Sequence, residues 1–272
     1  MSTSETTDHD DETHETTTDE DDAPFEAIIQ ARVLNDFLDP IDAIVEEFRL
    51  NLTDEGFRAE VVDPGNIGMA RVRLDAEAFE SFEVADAGGQ LGISLGKFRE
   101  LLDFADPGDL VSLSLDQETR KLDVAFDTID ASVALIDPET IRQEPDIPEL
   151  DLATKITLEG RQLRRGVELA DMVSDYVRFI GDPDAREWRM EADGDVDDVS
   201  ERFSREDLIK GQVPEEHESL FSTDYLLDMT KPIPKDAEVT LRHGTEHPVK
   251  FDYEIGEGVS VANMLAPRIE AK

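Results

Sequence analysis

A shift of 129 residues lays the second half of the chain on the first. It places Leu34, Leu38, Ile41 and Ile44 on Leu163, Val167, Ala170 and Val173, and the steps of 4, 3 and 3 trace one stripe of an α-helix. The flanking segments repeat as well. The first half predicts a strand over 25–30, a helix over 33–46, a strand over 49–52, a turn at Asp54-Glu55-Gly56 and a strand over 57–62. The second predicts a strand over 154–158, a helix over 162–174, a strand over 177–180, a turn at Gly181-Asp182-Pro183 and a strand over 187–192. Ser94 and Ser222 are expected N-caps of two short helices reaching Asp103 and Thr230. Each short helix precedes a hairpin, 110–115 with 121–126 and 238–242 with 249–255, whose alternating apolar residues mark strands with one buried face. Pro40 should bend the first long helix or cost it one hydrogen bond. The pattern calls for an α+β fold of two similar domains, each an antiparallel sheet with two helices.

The segments outside the repeat differ in kind. Residues 1–24 hold ten acids, no Lys or Arg and no large apolar residue after Met1. Burial cannot offset the ordering entropy of such a stretch, so it is expected to be a disordered acidic tail, solubilising or screening a basic surface. The first domain is expected over 25–136 and the second over 151–272. Between them, 137–150 carries Pro138, Pro145 and Pro148, which disfavour a helix and suggest an extended connector.

Composition narrows the function. Of 272 residues, 67 are acidic and 26 basic, a net charge of -41, and only 8 of the bases are lysine. That charge opposes tight binding to nucleic acid or anionic lipid at ordinary salt. The acids run through the whole chain, as expected of a protein from a salt-in halophile, where the Debye length at ~1 M salt is only ~3 Å. With no cysteine, disulfides, thiolate zinc sites and a cysteine nucleophile are excluded. No apolar run approaches the ~18 residues of a membrane span and the N-terminus is too acidic for a signal peptide, so a cytoplasmic protein is expected.

Enzyme signatures are scarce. There is no Walker loop, no Gly-x-Ser-x-Gly and no His-Glu-x-x-His. His243 and His247 read as a solvated hairpin turn rather than a metal pair. Gly88-Gly89-Gln90-Leu91-Gly92 reads as a loop before a strand, and Asp193, Asp195, Asp197 and Asp198 as a solvated acidic loop. No catalytic residue, metal ligand or cofactor is expected.

The order of elements and several strings resemble the sliding clamps of the proliferating cell nuclear antigen type, in their archaeal form. The strings are Phe25-Glu26-Ala27, Val62-Asp63-Pro64-Gly65-Asn66-Ile67-Gly68-Met69, Leu135-Ile136-Asp137-Pro138 and Leu265-Ala266-Pro267-Arg268-Ile269-Glu270, with Phe79-Glu80-Ser81-Phe82 and Tyr225-Leu226 as weaker support. The resemblance implies a head-to-tail homotrimeric ring of DNA-clamp domains around duplex DNA. Such a ring is a processivity factor and a docking platform for replicative polymerase, clamp loader, flap endonuclease and ligase, working in the cytoplasm beside the nucleoid.

The same resemblance assigns residues. Helices would line the hole, with Lys97, Arg99, Arg161, Arg164, Arg165 and Lys231 facing DNA or else pairing with neighbouring carboxylates. Several helix positions that are basic in most clamps are acidic or neutral here, among them Asn35, Asp36, Asp42, Glu100 and Asp103. A pocket for a hydrophobic-aromatic client peptide would form from Val62, Ile67, Met69, Ile141, Ile147, Pro248, Met264, Ala266 and Pro267. Alternatives are a specialised clamp paralogue with few clients, a divalent-cation-dependent phosphodiesterase built on acidic clusters, and an acidic DNA mimic.

Overall fold

The computed structural model describes residues 25–84, 88–116, 119–143, 150, 152, 154–256 and 258–269. The expected tail, Ile147 and most of the connector's second half lie outside them. The first half runs β1 (Phe25–Gln30), α1 (Ala31–Asp42), β2 (Glu47–Thr53), β3 (Gly56–Val62), β4 (Gly68–Asp75), β5 (Ser81–Val84), β6 (Gly89–Ser94), α2 (Leu95–Leu102), β7 (Leu110–Asp116), β8 (Lys121–Phe126) and β9 (Ile129–Ala134). The second runs β10 (Thr154–Glu159), α3 (Gly160–Asp171), β11 (Tyr176–Asp182), β12 (Glu187–Asp193), β13 (Asp198–Ser204), β14 (Lys210–Gln212), β15 (His217–Ser222), α4 (Thr223–Thr230), β16 (Glu238–His243), β17 (Val249–Ile255) and β18 (Val259–Leu265). The two lists have the same order of strands and helices, so the repeat read from one apolar stripe extends through the whole fold.

Both long helices start earlier than their apolar stripes suggest, directly at the end of a strand. A helix start leaves N–H groups without intrahelical partners. Here the loop after the short helix supplies them: Ala31 N–H and Arg32 N–H donate to the Asp109 and Pro107 carbonyls at 2.8 and 3.0 Å. Gly160 and Arg161 donate to the Ala237 and Lys235 carbonyls, both at 2.9 Å, which is the same device in the second half. The first long helix also ends at Asp42 rather than Glu46, because the sheet takes the next residues. Leu95 N–H donates to the Glu46 carbonyl at 2.9 Å and Glu47 pairs with Ser94. Ser94 and Ser222 do occupy N-cap positions, but neither side chain caps its helix. The carbonyls of Glu46 and Asp175 accept from Leu95 and Thr223 instead. Pro40 lies in the last turn of α1, buried, and forfeits the one bond that an N–H there would make to the Asp36 carbonyl.

Three sheets result. One has nine strands in the order β14-β10-β16-β17-β18-β4-β3-β2-β6, and it joins the halves where β18 runs antiparallel to β4 over seven pairs, from Val259↔Leu74 to Leu265↔Gly68. The others have five strands, β5-β1-β7-β8-β9, and four strands, β13-β12-β11-β15. Setting β9 beside β13 reproduces the nine-stranded order strand for strand, with each half's elements exchanged. The helices pack on the sheets through their apolar stripes, Leu34, Phe37, Leu38 and Ile41 in α1 and Leu163, Val167 and Ala170 in α3, all at most 1 % exposed.

The cores differ in chemistry. The first half is filled by phenylalanines, with Phe57 in edge contact with Phe79 and Phe82. The second contains Trp188, Phe179 and two buried histidines. His243 was expected in a solvated turn. It ends β16 instead, fully buried, because Val239, Leu241 and His243 alternate onto the inner face. Trp188 Nε1–H donates to His243 Nε2 at 2.8 Å, and His217 Nε2 lies 3.3 Å from the same atom. Only glycine fits at position 181, since a Cβ there would fall 1.9 Å from the His217 ring. His247, by contrast, is exposed. Burial, and secondarily His217, pushes the His243 pKa down to about 3; burial also lowers that of His217, partly offset by the Glu215 carbonyl.

Candidate functional site

Two surfaces carry the residues the sequence singles out. The first is the helical face. Asp39, Asp42 and Ala43 near the end of α1, Arg99 of α2, and Asp228, Lys231 and Pro232 at the end of α4 surround one cavity of about 350 Å³. The helices of both halves therefore share a face, on which the arginines are engaged. Arg99 donates to Asn35 Oδ1 at 3.1 Å and forms ion pairs with Asp39 and Asp42. Arg161 pairs with Glu159, and Arg164 with Glu168 at 2.8 Å. Arg165 Nε–H donates to Glu201 Oε1 on β13 at 2.7 Å. Lys97 and Lys231 are exposed and have no ion-pair partner among the described residues. Of six expected DNA-facing bases, four are already partnered by carboxylates.

The second surface is a cleft of about 410 Å³ lined by Ile67, Tyr176, Ser222, Tyr225, Ala266, Pro267, Arg268 and Ile269. It lies where the loop between β3 and β4 meets the start of α4 and the segment after β18. Ala266 N–H donates to the Ile67 carbonyl at 2.8 Å, so the chain leaving β18 is pinned to that loop. Arg268 N–H donates to the Leu220 carbonyl at 2.7 Å, and its guanidinium stands 5.4 Å from the Tyr176 ring centre. Ile67 is 37 % and Ile269 72 % exposed, so the cleft presents apolar surface to solvent.

Of the expected pocket residues, the cleft brings Ile67, Ala266 and Pro267 together. Val62, Met69 and Met264 form one cross-strand row beside it, Val62 opposite Met69 and Met69 opposite Met264. Pro248 is half-buried just before Val249, which pairs with Leu265. Ile141 does not line the cleft. It is 5 % exposed and packs near Gly92 on β6, with its carbonyl accepting from Arg49. Its neighbour Arg142 turns the other way and donates to the Asp63 carbonyl at 3.1 Å. Sequence reading missed Tyr176, Ser222, Arg268 and Ile269 as lining residues and the central place of Asp63. The strings containing Asp63 and Arg268-Ile269 carried the signal for those three, while Tyr176 and Ser222 lie in no such string.

A doubled domain with helices on one face, sheets outside them and an apolar cleft at the joint defines a clamp-type scaffold. Among the described residues no three His, Asp or Glu side chains are grouped to hold a metal ion. Nor is any helix among them long and apolar enough to cross a membrane. Residues 25–137 match the N-terminal domain of proliferating cell nuclear antigen, and residues 185–268 match its C-terminal domain. The chain is 48 % identical over 248 residues to the DNA polymerase sliding clamp of Natronomonas pharaonis, covering 91 % of this chain and 99 % of that one. It is 45 % identical to the DNA polymerase sliding clamp of Haloarcula marismortui, over 91 % of this chain and 100 % of that one. The structure is similar to A. fulgidus PCNA bound to the C-terminal region of FEN-1, with a TM-score of 0.85 and 32 % identity over 91 % of this chain and 100 % of that one. The chain belongs to the proliferating cell nuclear antigen family of DNA polymerase sliding clamps. That membership favours the clamp over the phosphodiesterase alternative.

Proposed function

We propose that three copies of this chain close head to tail into a ring threaded by duplex DNA, with no catalysis of their own, in the cytoplasm beside the nucleoid. The observation that carries this is the strand order: the five- and four-stranded sheets become a second nine-stranded sheet when β9 of one copy meets β13 of the next. Unpaired edge strands are liabilities that proteins cover, and a heterologous contact that closes by rotation covers β9 and β13 of every copy. Lys97 and Lys231 would reach phosphates most readily, while Arg99, Arg161, Arg164 and Arg165 would serve mainly to balance neighbouring acids. Weak DNA contact is tolerable because threading retains the ring. The cleft at Ile67, Ala266 and Pro267 would take the hydrophobic-aromatic peptide of a client, with flap endonuclease, polymerase, ligase and clamp loader as the expected clients. Residues 25–136 and 151–272 would be the two clamp domains and 137–150 the connector between them.

Retention on DNA tests the reading. Loaded by its clamp loader in high salt, the protein should remain on closed circular DNA and run off after one cut. Equal retention on cut and closed circles would contradict a threaded ring.

A further inference from the structure

The cleft wall that bears Ile67 is held by one carboxylate. Asp63 is 5 % exposed. It accepts from the backbone N–H groups of Gly65, Ile67 and Gly68 at 2.8, 2.6 and 2.7 Å. A fourth donor is the Tyr225 hydroxyl, at 2.9 Å and 162 residues away on α4 of the other half. Burial alone would push the Asp63 carboxyl up, but these four donors outweigh it and hold the group below its ordinary range. The tyrosine ring lies flat enough on the loop that a Cβ at Gly68 would meet it at 3.1 Å. Arg142, at the start of the connector, adds bonds to the Asp63 carbonyl and to the side chain of Asn66, a residue with φ of 57°.

The three backbone donors make Asp63 a local turn former. The fourth does something a turn does not need: it ties the loop to the opposite half across the cleft. We infer that the Asp63–Tyr225 hydrogen bond is a latch that fixes the Ile67 loop as a rigid wall before a client peptide arrives. Asp63 and Tyr225 are thus positioning residues for client affinity, an inference that rests on the client-cleft reading. A peptide that meets a pre-ordered wall does not have to order it, and this part of the binding cost disappears.

The test uses the full chain in high salt, with Tyr225→Phe, Asp63→Asn and the double variant. Tyr225→Phe keeps the ring on Gly68 and all three backbone bonds, removing only the cross-half bond. Hydrogen exchange of the Gly65, Ile67 and Gly68 amides, measured without peptide, should accelerate about tenfold, the size of one lost charge-assisted bond. Calorimetric affinity for a synthetic Gln-x-x-Leu-x-x-Phe-Phe peptide should fall by a similar factor, with assembly mass unchanged. The double variant should bind no worse than Asp63→Asn alone, the non-additivity expected of two ends of one bond. Unchanged exchange in Tyr225→Phe overturns the latch. Faster exchange with unchanged affinity overturns the positioning role. If the wild-type protein does not bind the peptide, the client-cleft reading fails and takes the positioning role with it, while exchange still decides whether the latch exists.

Discussion

The joint between β18 and β4 and the exposed pair of edges, β9 and β13, are built on one plan with different side chains. Matching the strands through their neighbours puts Leu74 on Phe203, Val72 on Glu201, Ala70 on Val199 and Met69 on Asp198. On the other side Val261 matches Ile129, Asn263 matches Ala131 and Ala262 matches Asp130. Copying the register of the closed joint to the open one sets Ile129 opposite Glu201, Ala131 opposite Val199, and Asp130 diagonal to Arg202. Within the chain the inner face is permanent and, apart from the buried Asn263, apolar. At the edges it contains an acid, and the outer row adds Asp130 and Asp198. A joint that folds with the chain can be dry throughout; one that must open around DNA has to tolerate water on both surfaces when apart. The acidic edges meet that need at the cost of repulsion when salt is low.

The largest expected effect comes from placing the same charge at the two matched positions. Ala131→Arg puts a cation between β9 and the next copy's Val199. Size-exclusion with light scattering should show monomers of unchanged circular dichroism. Asn263→Arg, at a site 3 % exposed inside the closed joint, should unfold or aggregate the chain itself. If both variants keep the assembly, the two joints are not equivalent.

Acid should attack the second half in both its sheets, because His243 ends β16, two strands from β18, while His217 starts β15 and Trp188 of β12, the strand beside the open edge β13, donates to His243. Folding lowers both histidine pKa values, so the unfolded chain binds more protons. The stability they confer is complete above ~6.5 and is lost as pH falls from there toward the folded values. By pH 5 the His243 contribution should have fallen by about 2 kcal/mol, read as a lower denaturation midpoint that His243→Gln flattens.

Glu201→Val should make the open joint resemble the closed one. Its Oε2 is buried with no partner among the described residues, and the matched position holds Val72. Its removal should tighten association about tenfold at moderate salt, or roughly 1.4 kcal/mol. Unchanged association would mean that the Arg165 pair already neutralises the acid. The smallest effect concerns DNA. Lys97→Ala and Lys231→Ala should each weaken association by about twofold to threefold and reduce its salt slope, whereas Arg164→Ala should change little because Glu168 already holds that arginine.

Much of this was legible in residue order. The helical stripe and the strand alternation are local patterns, and they gave both halves and their repeat. The helix starts were not legible, because the Asp109 and Ala237 carbonyls that meet their first N–H groups come from distant loops, although α3 adds a local Glu159–Gln162 capping box. His243 was misread for the opposite reason. Its alternation with Val239 and Leu241 was visible, but a neighbouring Gly244 suggested a turn first. The cleft was half legible: Ile67, Ala266, Pro267 and Ile269 sit in recognisable strings, whereas Tyr176 joins it only through the packing of segments far apart in sequence. Ile141 looked equivalent to them, yet the connector turns it inward toward Gly92 and sends Arg142 out instead.

The central claim is that the open edges close three copies into a ring, and that salt governs the closure. Each chain carries -41, so three carry about -123 before counterions. Light scattering across ~0.1 to ~3 M KCl, where the screening length falls several-fold, measures the assembly directly. The account predicts a mass of three chains at high salt that falls toward one chain as salt is withdrawn. A single-chain mass at every salt concentration would contradict it.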